Sequence, residues 1–546
     1  MCRSLELSFA EIPNIPAILL DYVCHFDKVQ SFFPRPFSLD DFRSTELVST
    51  PPRLLSRGPL VDALQRQNSL LGAGTKTFKN LERLAKNHCF TVVTGQQVGL
   101  FTGPAYTIYK ALTAVKLAEA YTKQGIEAVP VFWMATEDHD IDEVNSTQLV
   151  VADSTPKRVC YEGRPEDYGR SVSNVLFTDS IGSTLNEFLQ GLPDSDFKPE
   201  LANRLTQAYC SGKSYGQAFG EVLSFLFSDY GLILLDPQDP TLKNLAKPFF
   251  LRIVDKWTEL HNRLQSRNAQ LSEVGYPLQV PSTAGTTFLF IEEEGKRRGV
   301  VRTRDQFHLR GVPKVITPPE LRVIIEQTPE RISPNVLMRP LVQDFLLPTI
   351  AYVAGPSEVG YFAQLSTLYQ ALGGEMPRIF PRSSFTVIEK RMEKFLMKYR
   401  LCLRDIFQGS QAVLKLVIEQ SVNQEVSLKF DQLQSEFSQQ LGKMAKPLKL
   451  IDPTLSGALS TTQQKVQYQL SNLRAKFVGA ASRRQEIVQR QIESVYTVLY
   501  PSKELQERQL NIFYFLSRYG CDFLARLYGV IDLSCRDHKL FYLSKF

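Results

Sequence analysis

The sequence is poor in the residues and patterns that mark several common protein classes. Its eight cysteines in 546 residues include no CxxC pair and show no regular spacing, which argues against a disulfide framework and against a structural zinc site. No apolar run approaches the roughly 18 residues that a transmembrane helix needs, and no segment combines a charged start with the apolar core of a signal peptide. These absences predict a soluble, cytoplasmic protein without a membrane anchor and without a zinc site.

The net charge is also too small to indicate a nucleic-acid partner. The chain has 63 Lys and Arg against 57 Asp and Glu, a formal net charge of +6, whereas nucleic-acid-binding proteins cluster basic side chains on one face. The densest basic cluster, Lys296, Arg297 and Arg298, lies between two β-like runs and is interpreted as a solvated hairpin tip, with a phosphate site as the alternative. With 43% hydrophobic residues, a chain of this length can bury a large core, and two or three domains are expected.

What the sequence does contain is a β-branched run that stops in glycines and restarts as a helix. Thr91–Thr94 predict a strand, and apolar residues three or four positions apart after position 105 predict a helix with Tyr106 in its first turn. Gly95, Gly99 and Gly103 recur every four residues, a spacing that matches neither the dinucleotide fingerprint nor a Walker A loop. A strand followed in this way by a helix N-terminus is typical of a ligand site in an α/β sheet.

A second polar motif follows the next predicted strand. Val129–Trp133 is too short for a helix and is followed by Glu137–Asp140, so the unit is strand, helix, strand. The carboxyl ends of two parallel strands joined by such a crossover meet at the same edge of a sheet. We therefore expect Gly95–Gly103 and Glu137–Asp140 to line one cleft.

A third block repeats this organisation further along the chain. Thr349–Gly355 predicts a strand that breaks at Gly355 and Pro356, and Ser357 or Glu358 then opens a helix. Arg339 and Asp344, which precede this strand, could form a buried structural ion pair with each other and so have a structural role instead of lining a pocket. The polar residues around the block that we expect to line a pocket are Asn335, Arg339, Gln343, Asp344, Arg378 and Arg382.

The character of the chain changes near residue 385. Apolar residues spaced by three and four recur from Phe430 to Met444 and from Val466 to Val495, which predicts an antiparallel helical hairpin or coiled coil. One such hairpin leaves an apolar seam partly uncovered, so pairing with a second subunit is expected.

The predicted organisation has four parts. Residues 1–88 form a mostly helical lead-in that packs on the core, and residues 89–384 form an α/β core with hairpin-like insertions at about 152–212 and 238–330. Residues 385–502 form the coiled-coil arm. Residues 503–546 form a helical segment that returns to the core.

These motifs resemble those of the BshC family, the cysteine ligases of bacillithiol biosynthesis. The resemblance is carried by TGQQVGLFTGPAYTIYKA from Thr94, PVFWMATEDHDIDEV from Pro130, SYGQAFGEVLSFLF with GLILLDP from Ser214, and ISPNVLMRPLVQDFLLPTIAYVAGPSEVGYFAQL with MPRIFPRSS from Ile332. They follow one another between residues 90 and 390, with the coiled-coil segment behind them. The resemblance therefore covers most of the chain.

The resemblance implies a Rossmann-like, parallel-sheet core of the nucleotidyltransferase kind, similar to class I aminoacyl-tRNA synthetases, with inserted connecting segments and a coiled-coil arm that dimerises. It also implies the last step of the pathway, in which L-cysteine is added to the amine of glucosaminyl-malate. Because forming an amide from a carboxylate in water is uphill, the acid must be activated, either as an adenylate made from ATP with Mg²⁺ or as an acyl phosphate. No ligand set for a zinc ion that would select the cysteine thiolate is found.

The candidate residues fall into three sets on this interpretation. Four of the candidates also have a purely structural interpretation: Lys110 as a solvent-exposed helical residue, Asp140 as a helix cap, Glu358 as a favourable first-turn carboxylate and Trp133 as a core aromatic. The candidates for polar chemistry are Glu137, Asp138, His139 and Asp140; those for the nucleotide are Gly95, Gln96, Gln97, Gly99, Gly103, Tyr106, Lys110, Gly355 and Glu358; those for the substrates are Trp133, Asn335, Arg339, Gln343, Asp344, Arg378 and Arg382.

Two other function classes are open at this point. The fold and the arm would suit an aminoacyl transferase related to tRNA synthetases, but the chain has no basic stripe for tRNA. A non-catalytic nucleotide-binding scaffold could use the coiled coil to recruit partners, but a scaffold needs no polar cluster such as Glu137–Asp140 in its cleft.

Overall fold

The computed structural model describes residues 5–38, 57–151, 154–282, 285–304, 306–419 and 423–543. Parts of the predicted segments lie outside these residues: 1–4, 39–56 and 544–546 of the terminal segments, 152–153 of the first insertion, 283–284 and 305 of the second insertion, and 420–422 of the arm. The chain divides into two compact units, one drawn from residues 1–387 and 504–545 and the other from residues 388–503.

The first unit is built on a parallel sheet that confirms the predicted α/β core. Five described strands form it, in the spatial order Arg378–Pro381, Thr349–Ala354, Phe90–Gln96, Ala128–Met134 and Ile233–Leu235. The three middle strands are almost wholly buried, which is why they read as continuous apolar runs and not as alternating ones.

The first motif folds as predicted, with a strand at Phe90–Gln96, a helix at Tyr106–Lys123 and a strand at Ala128–Met134. The two strands pair in register along their whole length, so that Gly95 lies opposite Trp133. Their carboxyl ends therefore leave the sheet side by side, as the crossover argument requires.

Two of the glycines serve the turn between that strand and helix. Gly103 has a φ of +66°, which L side chains rarely adopt. A Cβ on Gly99 would stand 3.0 Å from the Cα of Gly103, so the loop folds tightly on itself. The shape of the loop thus explains the four-residue spacing between Gly99 and Gly103.

Gly95 needs its missing side chain for a different reason. A Cβ at this position would lie 2.8 Å from the carbonyl oxygen of Trp133 on the neighbouring strand. We expect Gly95→Ala to lower the free energy of unfolding by about 1–3 kcal/mol, because two paired strands would have to separate. Urea unfolding measures the change, and Gly182→Ala, whose Cβ would meet open space in a helix, is the control. Equal stability of the two variants would contradict the prediction.

The hairpin-like character predicted for the two insertions is correct only in part. An antiparallel sheet runs in the order Val315–Ile316, Gln306–Leu309, Lys296–Thr303, Thr286–Glu293 and Ile332–Pro334. Residues 181–208 and 240–273 are instead mostly helical. The apolar residues of each helix recur every three or four positions and so lie on one face. This helical spacing, and not the alternation of a strand, is the pattern of these segments.

The C-terminal segment of the first unit was predicted to be helical, and that prediction is wrong for its end. Helices occupy Gln506–Gln509, Phe513–Tyr519 and Asp522–Val530, but His538–Tyr542 is a strand. This strand lies between Leu5–Leu7 and Phe385–Ile388 in a small sheet, where partners distant in the sequence complete its hydrogen bonds.

Further helices and a two-stranded ladder complete the first unit. The ladder is formed by Ser146–Val150 and Pro156–Cys160. The remaining helices are Ala17–Cys24, Arg57–Leu70, Thr75–Leu84, Ile141–Val144, Ile181–Gly191, Lys198–Ala208, Tyr215–Leu226, Pro240–Asp255, Trp257–Glu273, Pro318–Gln327, Arg339–Leu346, Pro356–Phe362 and Ser366–Ala371.

The second unit is helical, in agreement with the predicted arm. Its two long helices, Asn423–Ile451 and Leu455–Leu499, run back along each other, with the Phe430 and Phe477 rings 5.8 Å apart. Its shorter helices are Lys390–Lys398, Leu403–Phe407 and Ser410–Glu419. Across the described part of the chain, no helix has the length and apolarity to span a bilayer.

Candidate functional site

A cavity of about 750 Å³ opens at the carboxyl ends of the parallel strands in the first unit. This is the edge at which open α/β sheets bind their ligands, and the volume is in the range of small-molecule sites. The lining residues are Gly95, Gln96, Gln97, Tyr106, Lys110, Trp133, Ala135, Glu137, Asp138, His139, Glu143, Val280, Phe290, Arg297, Pro334, Asn335, Val336, Arg339, Tyr352, Gly355, Pro356, Ser357, Glu358, Tyr361, Arg382 and Arg508.

Lys110 connects the first and third motifs on the floor of the cavity. Its ammonium donates to the carbonyl oxygen of Gly95 at 2.7 Å and to the side-chain oxygen of Gln96 at 3.0 Å, and it forms an ion pair with Glu358. Its side chain is only 3% exposed, so the interpretation of Lys110 as a solvent-exposed helical residue is wrong. Burial lowers the pKa of Lys110 below its ordinary value, and Glu358 opposes that shift.

Glu358 accepts several hydrogen bonds at the start of its helix. The backbone N–H of Gly355 donates to it at 2.6 Å, which is the favourable first-turn position named above, and the Tyr352 hydroxyl donates at 2.7 Å. Burial acts to raise the pKa of Glu358, but Lys110 and the Gly355 N–H hold it below its ordinary value. The carboxylate is therefore charged at neutral pH.

Arg339 lies against two tyrosines of the cavity wall. Its guanidinium donates to the hydroxyl oxygens of Tyr352 at 3.1 Å and Tyr361 at 3.0 Å, and to the side-chain oxygen of Gln343 at 2.9 Å. Burial raises the pKa of both phenols, so they stay neutral and do not balance its charge. Among the described residues, no carboxylate lies within ion-pairing distance of Arg339.

The proposed pair between Arg339 and Asp344 is not formed. The two residues are five positions apart on the helix Arg339–Leu346, so their side chains leave it about 140° apart. Asp344 instead accepts hydrogen bonds from Gln343 at 2.9 Å and from Tyr369 at 2.5 Å, and burial raises its pKa to about 6.

Glu137 is held by a lysine from the second insertion. Lys243, on the helix Pro240–Asp255, forms a buried ion pair with Glu137 and donates to the carbonyl oxygen of Ile332 at 2.5 Å. The side chains are 2% and 8% exposed. This contact fixes the first residue of the acidic motif at the cavity wall.

Asp138 and His139 contact an arginine from the inserted antiparallel sheet. Asp138 accepts from Gln97 at 2.7 Å and from the His139 backbone N–H at 2.8 Å, and Arg297 lies 3.9 Å away. Burial acts to raise the pKa of Asp138, yet its contacts with His139, Gln97 and Arg297 bring it well below its ordinary value. Asp138 is therefore ionised at neutral pH.

A further arginine, Arg382, reaches the cavity from the end of the strand Arg378–Pro381. It forms an ion pair of 2.6 Å with the fully buried Glu507 and lies 5.5 Å from the centre of the Tyr106 ring. Burial acts to raise the pKa of Glu507, and Arg382 brings it below its ordinary value. The C-terminal segment thus positions a cation of the cavity.

The structure brings most of the predicted site residues together and leaves a smaller group outside. The predicted residues that line the cavity are Gly95, Gln96, Gln97, Tyr106, Lys110, Trp133, Glu137, Asp138, His139, Asn335, Arg339, Gly355, Glu358 and Arg382; those that do not line it are Gly99, Gly103, Asp140, Gln343, Asp344 and Arg378. Asp140 is exposed and takes the N-cap position of Ile141–Val144 without a side-chain cap hydrogen bond.

Arg378 lies at the wrong end of its strand for the site. It is the first residue of Arg378–Pro381, whereas the cavity opens at the carboxyl end, four residues or about 13 Å further on at Arg382. Its guanidinium donates to the carbonyl oxygen of Ser38 at 2.6 Å.

Sequence reasoning missed several residues of the cavity and its supports. Arg297 was interpreted as part of a solvated hairpin tip, but it is 8% exposed and faces the site. Lys243 lies within a helix that was not recognised, and Arg508 belongs to the C-terminal segment. Tyr352 could have been found, because it lies in the strand that ends at the third motif.

The cavity suits a ligand with several anionic groups. Its described cations are Lys110, Arg297, Arg339, Arg382 and Arg508, which could hold the phosphates of a nucleotide or the carboxylates of an acid. Within the described ranges, no group of three or more His, Cys, Asp and Glu side chains is arranged to hold a metal ion.

Comparison with known proteins gives one consistent family. Residues 5–383 match the model of the "Bacillithiol biosynthesis BshC, N-terminal Rossmann-like domain", and residues 385–543 match that of the "C-terminal coiled-coil domain". Proteins named "Putative cysteine ligase BshC" are similar to this chain. That of Koribacter versatilis is 35% identical over 98% of both chains, that of Salinibacter ruber 34% over 97% of both, and that of Solibacter usitatus 34% over 97% of this chain and 98% of the relative.

Proposed function

The chain belongs to the BshC family of bacillithiol biosynthesis, and we propose that it is the ligase that joins L-cysteine to the amine of glucosaminyl-malate. The reaction forms an amide bond between the cysteine carboxyl group and the sugar amine. We place it in the cavity at the carboxyl ends of the parallel strands, where the three motifs meet.

The observation that carries the proposal is that Arg339 lines the cavity and, among the described residues, pairs with no carboxylate; Glu358 attracts its charge only from beyond ion-pairing distance. A half-buried guanidinium with neutral partners and no described carboxylate at ion-pairing distance is suited to bind a carboxylate in two parallel hydrogen bonds. The malate part of glucosaminyl-malate offers such groups. Asn335 is next to Arg339 on the cavity wall and can hydrogen-bond sugar hydroxyls.

The acidic side of the cavity suits the other substrate. Asp138 is ionised and Glu143 lies beside it, both in contact with Gln97. Carboxylates at this position can hold the ammonium group of cysteine and orient its carboxyl group toward the amine. ATP, when bound with Mg²⁺, supplies the activation of that carboxyl group, and Arg382 and Arg508 are the cations that we expect to hold its phosphates.

The proposal is tested by mass spectrometry of a reaction that contains the protein, ATP, Mg²⁺, L-cysteine and glucosaminyl-malate. The ligated thiol together with AMP supports activation as an adenylate, and the thiol together with ADP supports an acyl phosphate. The function is contradicted if this reaction gives no product and if cells that carry the gene as their only ligase also make no ligated thiol. That result would favour a nucleotide-binding scaffold.

Arg339→Gln is expected to raise the KM for glucosaminyl-malate by about 10–100-fold while the KM for cysteine stays nearly unchanged, because a charge-assisted hydrogen bond to one substrate is lost. Initial rates at varied concentrations of each substrate measure both constants. Arg378→Gln, an arginine outside the cavity, is the control. An equal change in both KM values would contradict the assignment of Arg339 to the malate group.

We also propose that the arm pairs with a second copy of the chain. Large apolar side chains of the two long helices are exposed by half or more; they include Leu433, Leu450, Ile451, Tyr468 and Leu473. Light scattering at micromolar concentration is expected to give twice the chain mass of 62.0 kDa. The double variant Leu433→Glu with Leu473→Glu is expected to give a lower mass than the unaltered protein. A single-chain mass for the unaltered protein would contradict the dimer.

A further inference from the structure

The hydrogen bond between Arg297 and His139 determines where the imidazole carries its proton. The Nη1 atom of Arg297 lies 3.1 Å from Nδ1 of His139. A guanidinium has no lone pair to accept a hydrogen bond and keeps its charge in proteins, so it can only donate. Nδ1 of His139 must therefore be the acceptor, and a neutral ring carries its proton on Nε2.

Arg297 is held so that it cannot turn away from His139. Its Nε donates to the Ser333 hydroxyl at 2.9 Å, and its Nη2 donates to the carbonyl oxygen of Pro334 at 2.7 Å. The guanidinium also lies 3.8 Å from the centre of the Phe290 ring. With its side chain 8% exposed, Arg297 presents one fixed N–H group to the imidazole.

Asp138 is the rival partner for the same ring nitrogen. Its Oδ1 lies 3.6 Å from Nδ1 of His139, which is longer than a hydrogen bond. The Asp138 carboxylate already accepts from Gln97 at 2.7 Å and from the backbone N–H of His139 at 2.8 Å. The shorter contact with Arg297 therefore decides the tautomer.

The second ring nitrogen remains for a ligand. His139 lines the cavity, its side chain is 36% exposed, and Nε2 makes no hydrogen bond with any residue that the structure describes. Since Nδ1 is occupied by Arg297, the ring offers the cavity an N–H donor and no free lone pair.

We propose that His139 acts as a neutral hydrogen-bond donor, through Nε2, to an anionic oxygen of the reacting cysteine carboxyl group, and that Arg297 is the positioning residue that sets this tautomer. This rests on the proposed ligase function. In this role His139 is a donor and not the proton acceptor of the reaction. Through Arg297, the inserted antiparallel sheet has a defined part in the site.

The tautomer is tested by nitrogen-15 NMR of the protein labelled at its six histidines, with the His139 signals identified by their loss in His139→Gln. At neutral pH we expect a proton on Nε2 and none on Nδ1. Arg297→Met should give a mixture of tautomers, whereas Arg297→Lys, also only a donor, and Arg298→Met, the neighbouring control, should keep the Nε2–H form. A proton on Nδ1 in the unaltered protein would overturn the proposal.

The role of the donor is tested by the rate of ligation. His139→Gln places an amide N–H near the position of Nε2 without a basic nitrogen, so its kcat should stay within about 10-fold of the unaltered protein, while His139→Ala should lose about 100-fold. Equal losses in both variants, with unchanged melting temperatures, would show that a base is needed and would overturn the proposal. Absence of product from the unaltered protein contradicts the ligase function instead, and the NMR result still decides the tautomer.

Discussion

Lys243→Met is expected to lower the free energy of unfolding of the first unit by about 3–5 kcal/mol. The substitution leaves the Glu137 carboxylate, 8% exposed, without the ammonium that now pairs with it, and an uncompensated buried charge is among the most costly single changes. It also removes the hydrogen bond to the Ile332 carbonyl oxygen. The midpoint of urea unfolding, followed by circular dichroism, measures the loss.

Two further variants separate this cause from the loss of a lysine in general. Lys247→Met, one turn along the same helix and without an ion pair to a described residue, should change the stability little. The double variant Lys243→Met with Glu137→Gln should recover part of the loss, because no unpaired charge is left. If the double variant is less stable than Lys243→Met, the ion pair is not the cause.

The stability of the first unit is expected to fall by about 3 kcal/mol between roughly pH 6.5 and pH 4 on account of His538 alone. This side chain is fully buried between the hydroxyl groups of Ser384, 2.7 Å from Nδ1, and Thr386, 2.8 Å from Nε2. Burial lowers its pKa from 6.5 to about 4, with Glu507 opposing the shift. In this pH range the unfolded chain binds a proton that the folded chain excludes, so stability decreases as the pH is lowered.

His538→Gln should remove this part of the pH dependence. Its curve of unfolding free energy against pH should be flatter than that of the unaltered protein between pH 6.5 and pH 4, whereas His88→Gln, which changes an exposed histidine, should leave the slope unchanged. Glu507 has a pKa below its ordinary value of 4.5, so its contribution is present above that pH and is lost as the pH falls further. Parallel curves for the unaltered protein and His538→Gln would contradict the prediction.

The Lys243–Glu137 ion pair and the surroundings of His538 show how segments distant in the sequence support the cavity. Lys243 comes from the second insertion and holds Glu137 of the acidic motif. Glu507, from the C-terminal segment, joins Arg382 on one side and the Ser384 hydroxyl, which contacts His538, on the other. Stability and ligand binding should therefore be coupled at these positions.

The part of the site that was predicted from the sequence is the part that is local. Gly95–Gln97 lie at the carboxyl end of one buried strand, and Glu137–His139 and Glu358 come shortly after the ends of two others. A strand pattern and a parallel sheet are therefore enough to bring them to one edge. The same reasoning fails within a motif when a side chain points elsewhere, as for Asp344 and Arg378, because helix phase and strand direction decide which end or face a residue occupies.

The sequence by itself determined the α/β core, the order of the three motifs and the helical arm, since hydrophobic period and turn residues are properties of neighbouring positions. Only the tertiary structure decided which charges meet in the cavity. Arg297 lines the cavity, and Lys243 and Glu507 pair with its residues Glu137 and Arg382. All three come from elements whose local pattern is that of a hairpin and two helices. Ion pairs and hydrogen bonds form between side chains that folding brings within about 3 Å, and no periodicity along the chain records that distance.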